Sequence, residues 1–272
     1  MYKMIAIDLD GTLLNSEKKI SAQNKTALRH AMEKGVKIVI CSGRIYAFAG
    51  KYAREVGSKE PVITCNGAVI RSTDTGEVLF SRPLSTTDCL KVIELCHEED
   101  IYFHFYTDDT MYAEKLERSA LNIWKRNMEL PEEERINLQI TDDAGKILKS
   151  SDKPPIKLVA ISDDAGKLSR VREKAERIGS VDVTSSGSNN FEVVAKGINK
   201  GMALEFLSGK LGINRNEIIA IGDNENDAPM LRYAGMAVAM GNADKAIKDM
   251  ADFVTLTNDE DGVAEAIKKL IP

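Results

Sequence analysis

The chain of 272 residues sets 37 lysines and arginines against 42 aspartates and glutamates, a formal net charge of −5 with the two signs interspersed. Its 43% hydrophobic and 29% charged content is that of an ordinary water-soluble protein; its length predicts one large or two smaller domains, and no basic stripe marks nucleic acid as a partner. The N-terminal apolar stretch is short and broken by two aspartates, so it reads as neither signal peptide nor membrane span, and a cytoplasmic protein is expected.

The first element is MIAIDLD at residues 4–10, an apolar strand carrying Asp8 and Asp10 close to its end. Aspartate is depleted in buried strands. Side chains at i and i+2 share a face, so the two carboxylates are expected to be neighbours. Like charges that close repel unless a cation or a shared proton relieves them. A turn beginning at Asp10-Gly11 accounts for Asp10 and leaves Asp8 unexplained. A helix follows over 22–34, then the strand VKIVICSG and a helix over 46–56. A third strand, PVITCNGA, runs on through the hairpin-like VIRSTDTGEVLFSR.

From about residue 83 to 190 the character changes. Strands there alternate and are aromatic, as in IYFHFYTDDTMYAE, and the stretches SSDKPP and SSGSNN are rich in turn residues. Alternation suits a sheet with one packed and one open face. It predicts a second, α+β domain at 83–190, inserted into an α/β core made of 1–82 and 191–272. The run PEEER at 131–135 reads as a solvated helix start. The strand–helix rhythm then resumes with a helix near 200–211, the strand EIIAIGD, a helix from Asp227 and the strand MAVAMG. A short helix, the strand DFVTL and a last helix to Leu270 complete the chain. Continuous apolar strands separated by helices predict a parallel sheet covered on both faces.

Cys41, Cys65, Cys89 and Cys96 show no Cys-x-x-Cys spacing and the three histidines are scattered, so neither a disulfide framework nor a zinc site is expected. No Gly-x-Gly-x-x-Gly or Walker A pattern supports a dinucleotide or P-loop site.

In an open parallel sheet, ligands bind at the carboxyl ends of the strands. Asp8 and Asp10 sit at one such end, Ser42 and Gly43 at a second, Asn66 at a third, and Asp223 in IIAIGDNEND at a fourth. With Asp227, four carboxylates gather at that edge. Lys200 is one positive charge against them, at a helix start where the dipole does not favour a cation. A hard divalent cation on oxygen ligands can balance the rest. Magnesium suits a site of few carboxylates that leaves room for phosphate oxygens.

DLDGTLL, the serine of CSGR, Lys200 in KGINKG, and GDNENDAPM resemble, in order and position, the four motifs of the haloacid dehalogenase superfamily of phosphohydrolases. Within it the chain is similar to the Cof-type branch (subclass IIB) with a large inserted cap, and the resemblance covers essentially the whole sequence. It implies a Rossmann-like parallel sheet core plus an α+β cap. It also implies a Mg2+-dependent phosphatase of small phosphate monoesters such as hexose or pentose phosphates. Asp8 is then the nucleophile that forms an aspartyl-phosphate, and Asp10 the general acid and base. Asp8, the Asp10 backbone carbonyl and Asp223 would bind the metal, with Asp227 joining through water. Ser42, Lys200, Asn226 and the amides of Leu9 and Gly43 would hold the phosphoryl oxygens.

Plainer readings of the same residues stay open. Ser42 also reads as a strand-end hydroxyl, Lys200 as solvated surface, Asn226 as a helix cap and Asn66-Gly67 as a hairpin turn. Arg44 is a candidate for pairing with a cluster acid or for contacting substrate. Asn66, with His104, Asn189 and Asn190 of the insertion, are candidate substrate contacts. A phosphomutase or phosphotransferase with the same motifs is the enzymatic rival. A non-catalytic phosphometabolite-binding module is the rival outside enzymes. No nucleic-acid, membrane or obligate protein partner is evident.

Overall fold

The computed structural model describes residues 1–132 and 135–272. The helix start predicted at 131–135 includes residues 133 and 134, which lie outside the described residues. The chain divides into two compact units, 1–81 with 199–272, and 82–198.

The first unit opens with β1 (Met4–Ile7), α1 (Ala22–Glu33), β2 (Lys37–Ile40) and α2 (Tyr46–Glu55), followed by β3 (Val62–Thr64), β4 (Val69–Arg71) and β5 (Val78–Ser81). Every residue of β1 is buried. Because successive strand residues point to opposite faces, the sheet is covered on both sides there. α1 begins at Ser21, whose hydroxyl oxygen accepts from the amide of Asn24 and satisfies one of the donors a helix start leaves over. Its inward face carries Leu28 and Ala31. β3, β4 and β5 form a small antiparallel sheet of their own, joined to β2 by one parallel bridge between Cys41 and Ile63. The turn at Cys65–Gly67 folds β4 straight back on β3, so the third strand meets the parallel sheet only through that bridge and otherwise pairs with its own hairpin.

The second unit holds α3 (Thr86–Glu98), β6 (Tyr102–Tyr106), β7 (Thr110–Ala113), α4 (Arg118–Glu129) and β8 (Asn137–Ile140). It continues with α5 (Ala144–Ser150), β9 (Lys157–Ile161), α6 (Ala165–Glu176), β10 (Val181–Thr184) and β11 (Asn190–Ala195). Its six strands run in the order β10-β11-β9-β6-β7-β8, all antiparallel neighbours except β7 and β8. Phe103, Phe105, Leu158, Phe191 and Val193 share one face and pack with Val92, Cys96, Leu148 and Val171 of α3, α5 and α6. Two features depart from the sequence reading. The unit runs to 198 rather than 190, because β11 pairs with both β9 and β10 and belongs to this sheet. β6, whose alternation predicted an open face, is buried along its whole length.

The chain then completes the first unit with α7 (Lys200–Lys210), β12 (Ile218–Gly222), α8 (Ala228–Tyr233), β13 (Met236–Ala239), α9 (Lys245–Met250), β14 (Phe253–Val254) and α10 (Gly262–Leu270). The parallel sheet has the order β14-β13-β12-β1-β2. Ile5, Ile7, Ile219 and Ile221 are at most 1% exposed, and burying each such side chain contributes about 1.5–3 kcal/mol relative to leaving it in water. From β1 the chain moves outward to β2, and from β12 it moves outward the other way to β13. The strand order therefore reverses between β1 and β12, the place where an open α/β sheet parts to form a ligand crevice. Asp8 and Asp223 directly follow these two strands. Among the described residues no helix is long and apolar enough to cross a membrane.

Candidate active site

Asp8 is fixed at the end of β1 by its amide, which donates to the carbonyl of Ile221 on β12 at 3.1 Å. Its Oδ1 accepts from Nζ of Lys200 at 2.6 Å, and the same Nζ donates to Oδ1 of Asp227 at 2.6 Å. Lys200 is fully buried, so the solvated-surface reading of it is overturned. The other Asp227 oxygen accepts from the amides of Asp223, at 2.9 Å, and Asn224, at 3.1 Å. Asp223 in turn accepts at Oδ1 from the hydroxyl of Thr12 at 2.6 Å. Oxygens of Asp8, Asp223 and Asp227 lie within 4.8 Å of one another. Thr12, fully buried, had no role in the sequence reading; its only signal was a polar residue inside DLDGTLL.

The protonation balance follows from this crowding. Burial pushes the Asp8 carboxyl well above the ordinary aspartate value; Lys200 opposes that, while Asp227, Asp223 and Asp10 add to it. Burial, then Asp227, raise Asp223 to about 7. Burial works against the charge on Lys200, but Asp227 and Asp8 outweigh it and lift its pKa above the usual lysine range. Burial is the larger cause of the upward shifts of Asp8 and Asp223, and the neighbouring carboxylates, with Lys200 bonded to Asp8 and Asp227 alone, add to it. All donors are hard oxygens, so the set fits a hard divalent cation.

Asp10 does not join the cluster through its side chain. β1 ends at Ile7, and the chain curls as the amide of Leu14 donates to the carbonyl of Leu9 at 2.8 Å. The i, i+2 rule holds only while the backbone stays extended. Gly11 continues the turn at φ +78°, where a Cβ would collide with the carboxylate of Asp223. The Asp10 carboxylate instead meets Arg44, which donates from Nε and from a terminal nitrogen, both at 2.6 Å, and Lys18 at 3.0 Å. Burial alone would raise its pKa, but the Arg44 and Lys18 bonds and charges bring it down to about 2. Arg44 thus pairs with an acid of the motif, one of its two sequence readings.

Ser42 is 1% exposed. Its amide donates to Ile63, its carbonyl accepts from the amide of Asn66 at 3.1 Å, and its hydroxyl oxygen accepts from the amide of Arg44 at 3.2 Å. Gly43 lies between them. Asn66 is buried, and its Oδ1 accepts from Nδ2 of Asn226 at 3.2 Å. Asn226 is not a cap: it lies inside the single turn Glu225–Asp227, which Asn224 caps, and Asp227 holds the N-cap position of α8.

The remaining candidates lie in the second unit. His104 is 2% exposed, and its Nδ1 has no hydrogen-bond partner among the described residues. Burial, and then the charge of Lys157, hold it down at about 3. Beside it on the sheet, Lys157 and Glu192 form a buried ion pair at 2.8 Å that periodicity did not single out. Asn190 closes the 185–190 turn, its Oδ1 accepting from the hydroxyl of Ser185 and the amide of Ser186. Asn189 is exposed and reaches Asp163 at 3.5 Å.

Comparison with known proteins places this geometry in context. Residues 5–267 match the family described as haloacid dehalogenase-like hydrolase. Phosphatase YwpJ of Bacillus subtilis is 32% identical over 286 residues, covering 99% of this chain and all of that one. The 5-amino-6-(5-phospho-D-ribitylamino)uracil phosphatase YcsE of the same organism is 35% identical, covering 98% and 94%. A solved haloacid dehalogenase-like hydrolase from B. subtilis superposes with a TM-score of 0.88 at 31% identity, covering 98% and 99%.

Proposed function

The chain belongs to the haloacid dehalogenase-like hydrolases and is a phosphatase; from that premise we propose a magnesium-dependent enzyme that hydrolyses small phosphorylated metabolites, sugar phosphates among them, through an aspartyl-phosphate on Asp8. The same reading places it in the cytoplasm, with a small phosphate monoester as its partner and no obligate protein partner. One observation carries the reading: Asp8 stands at the switch point of the sheet, held by a buried lysine and grouped with two further carboxylates. The substrate of YcsE, by its name, bears its phosphate on a ribityl chain, which supports a leaving group rich in hydroxyls.

In this reading an Asp8 oxygen attacks phosphorus and the ester oxygen leaves. Lys200 orients Asp8 and offsets the charge that builds as carboxylate and phosphoryl dianion approach. Asp8, Asp223 and the Asp10 carbonyl, with Asp227 behind them, would hold the magnesium ion, which when bound supplies positive charge against carboxylates and phosphoryl oxygens alike. Ser42, Asn226 and the amides of Leu9 and Gly43 hold phosphoryl oxygens. Released from Arg44, Asp10 takes up a proton from solvent, gives it to the leaving oxygen, and then takes a proton from the water that hydrolyses the aspartyl-phosphate. The inserted unit is read as the cap that sets substrate specificity, with His104, Asn189 and Asn190 as its candidate substrate contacts.

A panel of phosphate monoesters, assayed for released phosphate with magnesium and with a chelator, tests this. Hydrolysis that chelation abolishes and Asp8→Asn removes is expected. Hydrolysis that survives both overturns the proposal.

A further inference from the structure

Three residues between β3 and β4 touch much of the site. Cys65, Asn66 and Gly67 have φ of 50°, 57° and 97°, a left-handed run that only glycine adopts without cost. Such strain persists where the surroundings over-determine it. Here those surroundings are the site. The amide of Cys65 donates to the carbonyl of Arg44 at 2.9 Å and that of Asn66 to the carbonyl of Ser42 at 3.1 Å, lacing the turn to the loop after β2. At Gly67 the chain lies against the start of α7, where a Cβ would collide with the carbonyl of Asn199, the residue that caps the helix before Lys200. The Asn66 side chain reaches a third element through Nδ2 of Asn226.

An asparagine amide presents an acceptor on one side and two donors on the other. Turned one way, Asn226 offers N–H to an anionic oxygen; flipped, it offers a carbonyl that repels one. In the observed pair Asn66 turns its Oδ1, an acceptor, toward Nδ2 of Asn226 at 3.2 Å, and while Asn66 holds this orientation its bond favours the donor orientation of Asn226. It engages one N–H of Nδ2 and leaves the other to a ligand.

We propose that Asn66 is a positioning residue of the phosphoryl pocket, acting through Asn226: held in place by the strained turn, it locks that amide with an N–H directed to a phosphoryl oxygen. The proposal rests on the phosphatase reading above and deepens it. It replaces the reading of Asn66 as a substrate contact.

The test is a double-mutant cycle of Asn66→Gly and Asn226→Ala, with glycine chosen because it keeps the left-handed backbone. The readouts are nitrophenyl phosphate turnover and inhibition by orthovanadate, with folding checked by circular dichroism. Asn66→Gly is expected to weaken kcat/KM and vanadate inhibition about three- to tenfold, the scale of one hydrogen bond. Asn226→Ala should lose at least as much, and the double variant no more than Asn226→Ala alone. Losses that add in the double variant overturn the proposal. If Asn66→Gly does not fold, Asn66→Ala takes its place in the same cycle, losses that do not add supporting the proposal and losses that add overturning it. A wild-type protein without phosphatase activity sinks the underlying reading instead, whereas an active one with additive losses sinks this inference alone.

Discussion

Arg44 grips Asp10 with both prongs of its guanidinium, Nε to Oδ2 and a terminal nitrogen to Oδ1, each at 2.6 Å. Two-pronged charge-assisted pairs of this kind are the strong ones, and Arg44 is further held over the rings of Phe48 and Tyr52. Asp10 is therefore kept ionised, near 2, and a group so held must be released before it can donate a proton. Arg44→Ala should let the Asp10 carboxyl rise toward the ordinary value of about 3.9, read by carbon-13 NMR titration of the metal-free protein. An unshifted titration would show that Lys18 and the turn hold Asp10 without Arg44.

Asp10→Asn separates the role of Asp10 from that of Asp8. The variant keeps the shape and the backbone carbonyl but cannot transfer a proton. Sugar alkoxides leave poorly unless protonated, so sugar phosphates should lose roughly 10²–10⁴-fold in turnover. Nitrophenolate needs little protonation, so the expected signature with nitrophenyl phosphate is a burst followed by slow turnover, with phosphate trapped on the protein. Rapid mixing and counting of protein-bound phosphate tests it. Equal losses on both substrates with no trapped phosphate would return Asp10 to a structural role.

The excess negative charge of Asp8, Asp223 and Asp227 predicts that a divalent cation stabilises the fold whether or not substrate is present. Added to chelator-treated protein at a hundredfold excess over its Kd, magnesium contributes about 2.7 kcal/mol. By the usual size scaling that is a rise of roughly 5–10 °C in thermal midpoint. Asp223→Asn should remove most of the rise. A midpoint indifferent to magnesium in the wild-type protein counts against the metal site.

His104 carries a pH prediction for the second unit. Lys157 faces it, paired with Glu192, and the rings of Tyr102 and Tyr106 flank it. Its folded pKa of about 3 lies below the ordinary value of about 6.5. Between these values the unfolded chain binds a proton that the folded one does not, so the stability His104 contributes is present above about 6.5 and lost as pH falls. In His104→Phe the difference in urea-unfolding free energy should move in the variant's favour by up to about 1.4 kcal/mol per pH unit on acidification. A difference that stays level from pH 7 to pH 4 would mean that His104 titrates alike in both states.

The alternation of strands and helices was legible because burial on both faces writes an unbroken apolar run such as MIAI or IIAIG, while a helix start announces itself locally, as at Ser21. The edge on which Asp8, Ser42 and Asp223 stand followed as well, since a parallel sheet brings all its carboxyl ends to one side. Less could be read from β6. Its alternating aromatic pattern suggested an open face, yet a strand's pattern records which side chains are apolar, not what covers the others.

By itself the sequence determined the parallel core, the residue types at its strand ends, and the family those motifs mark. Only the tertiary structure decided that Asp10 turns to Arg44 across 34 residues, that Asn66 meets Asn226 across 160, and that Lys157 meets Glu192 across 35. It also decided that the second unit continues through β11 to residue 198. The reason is physical. Periodicity is a local record of which face of an element is buried, whereas a side-chain hydrogen bond exists only if two distant elements land within a few tenths of an ångström of the right spacing, and that is set by the packing of the whole core.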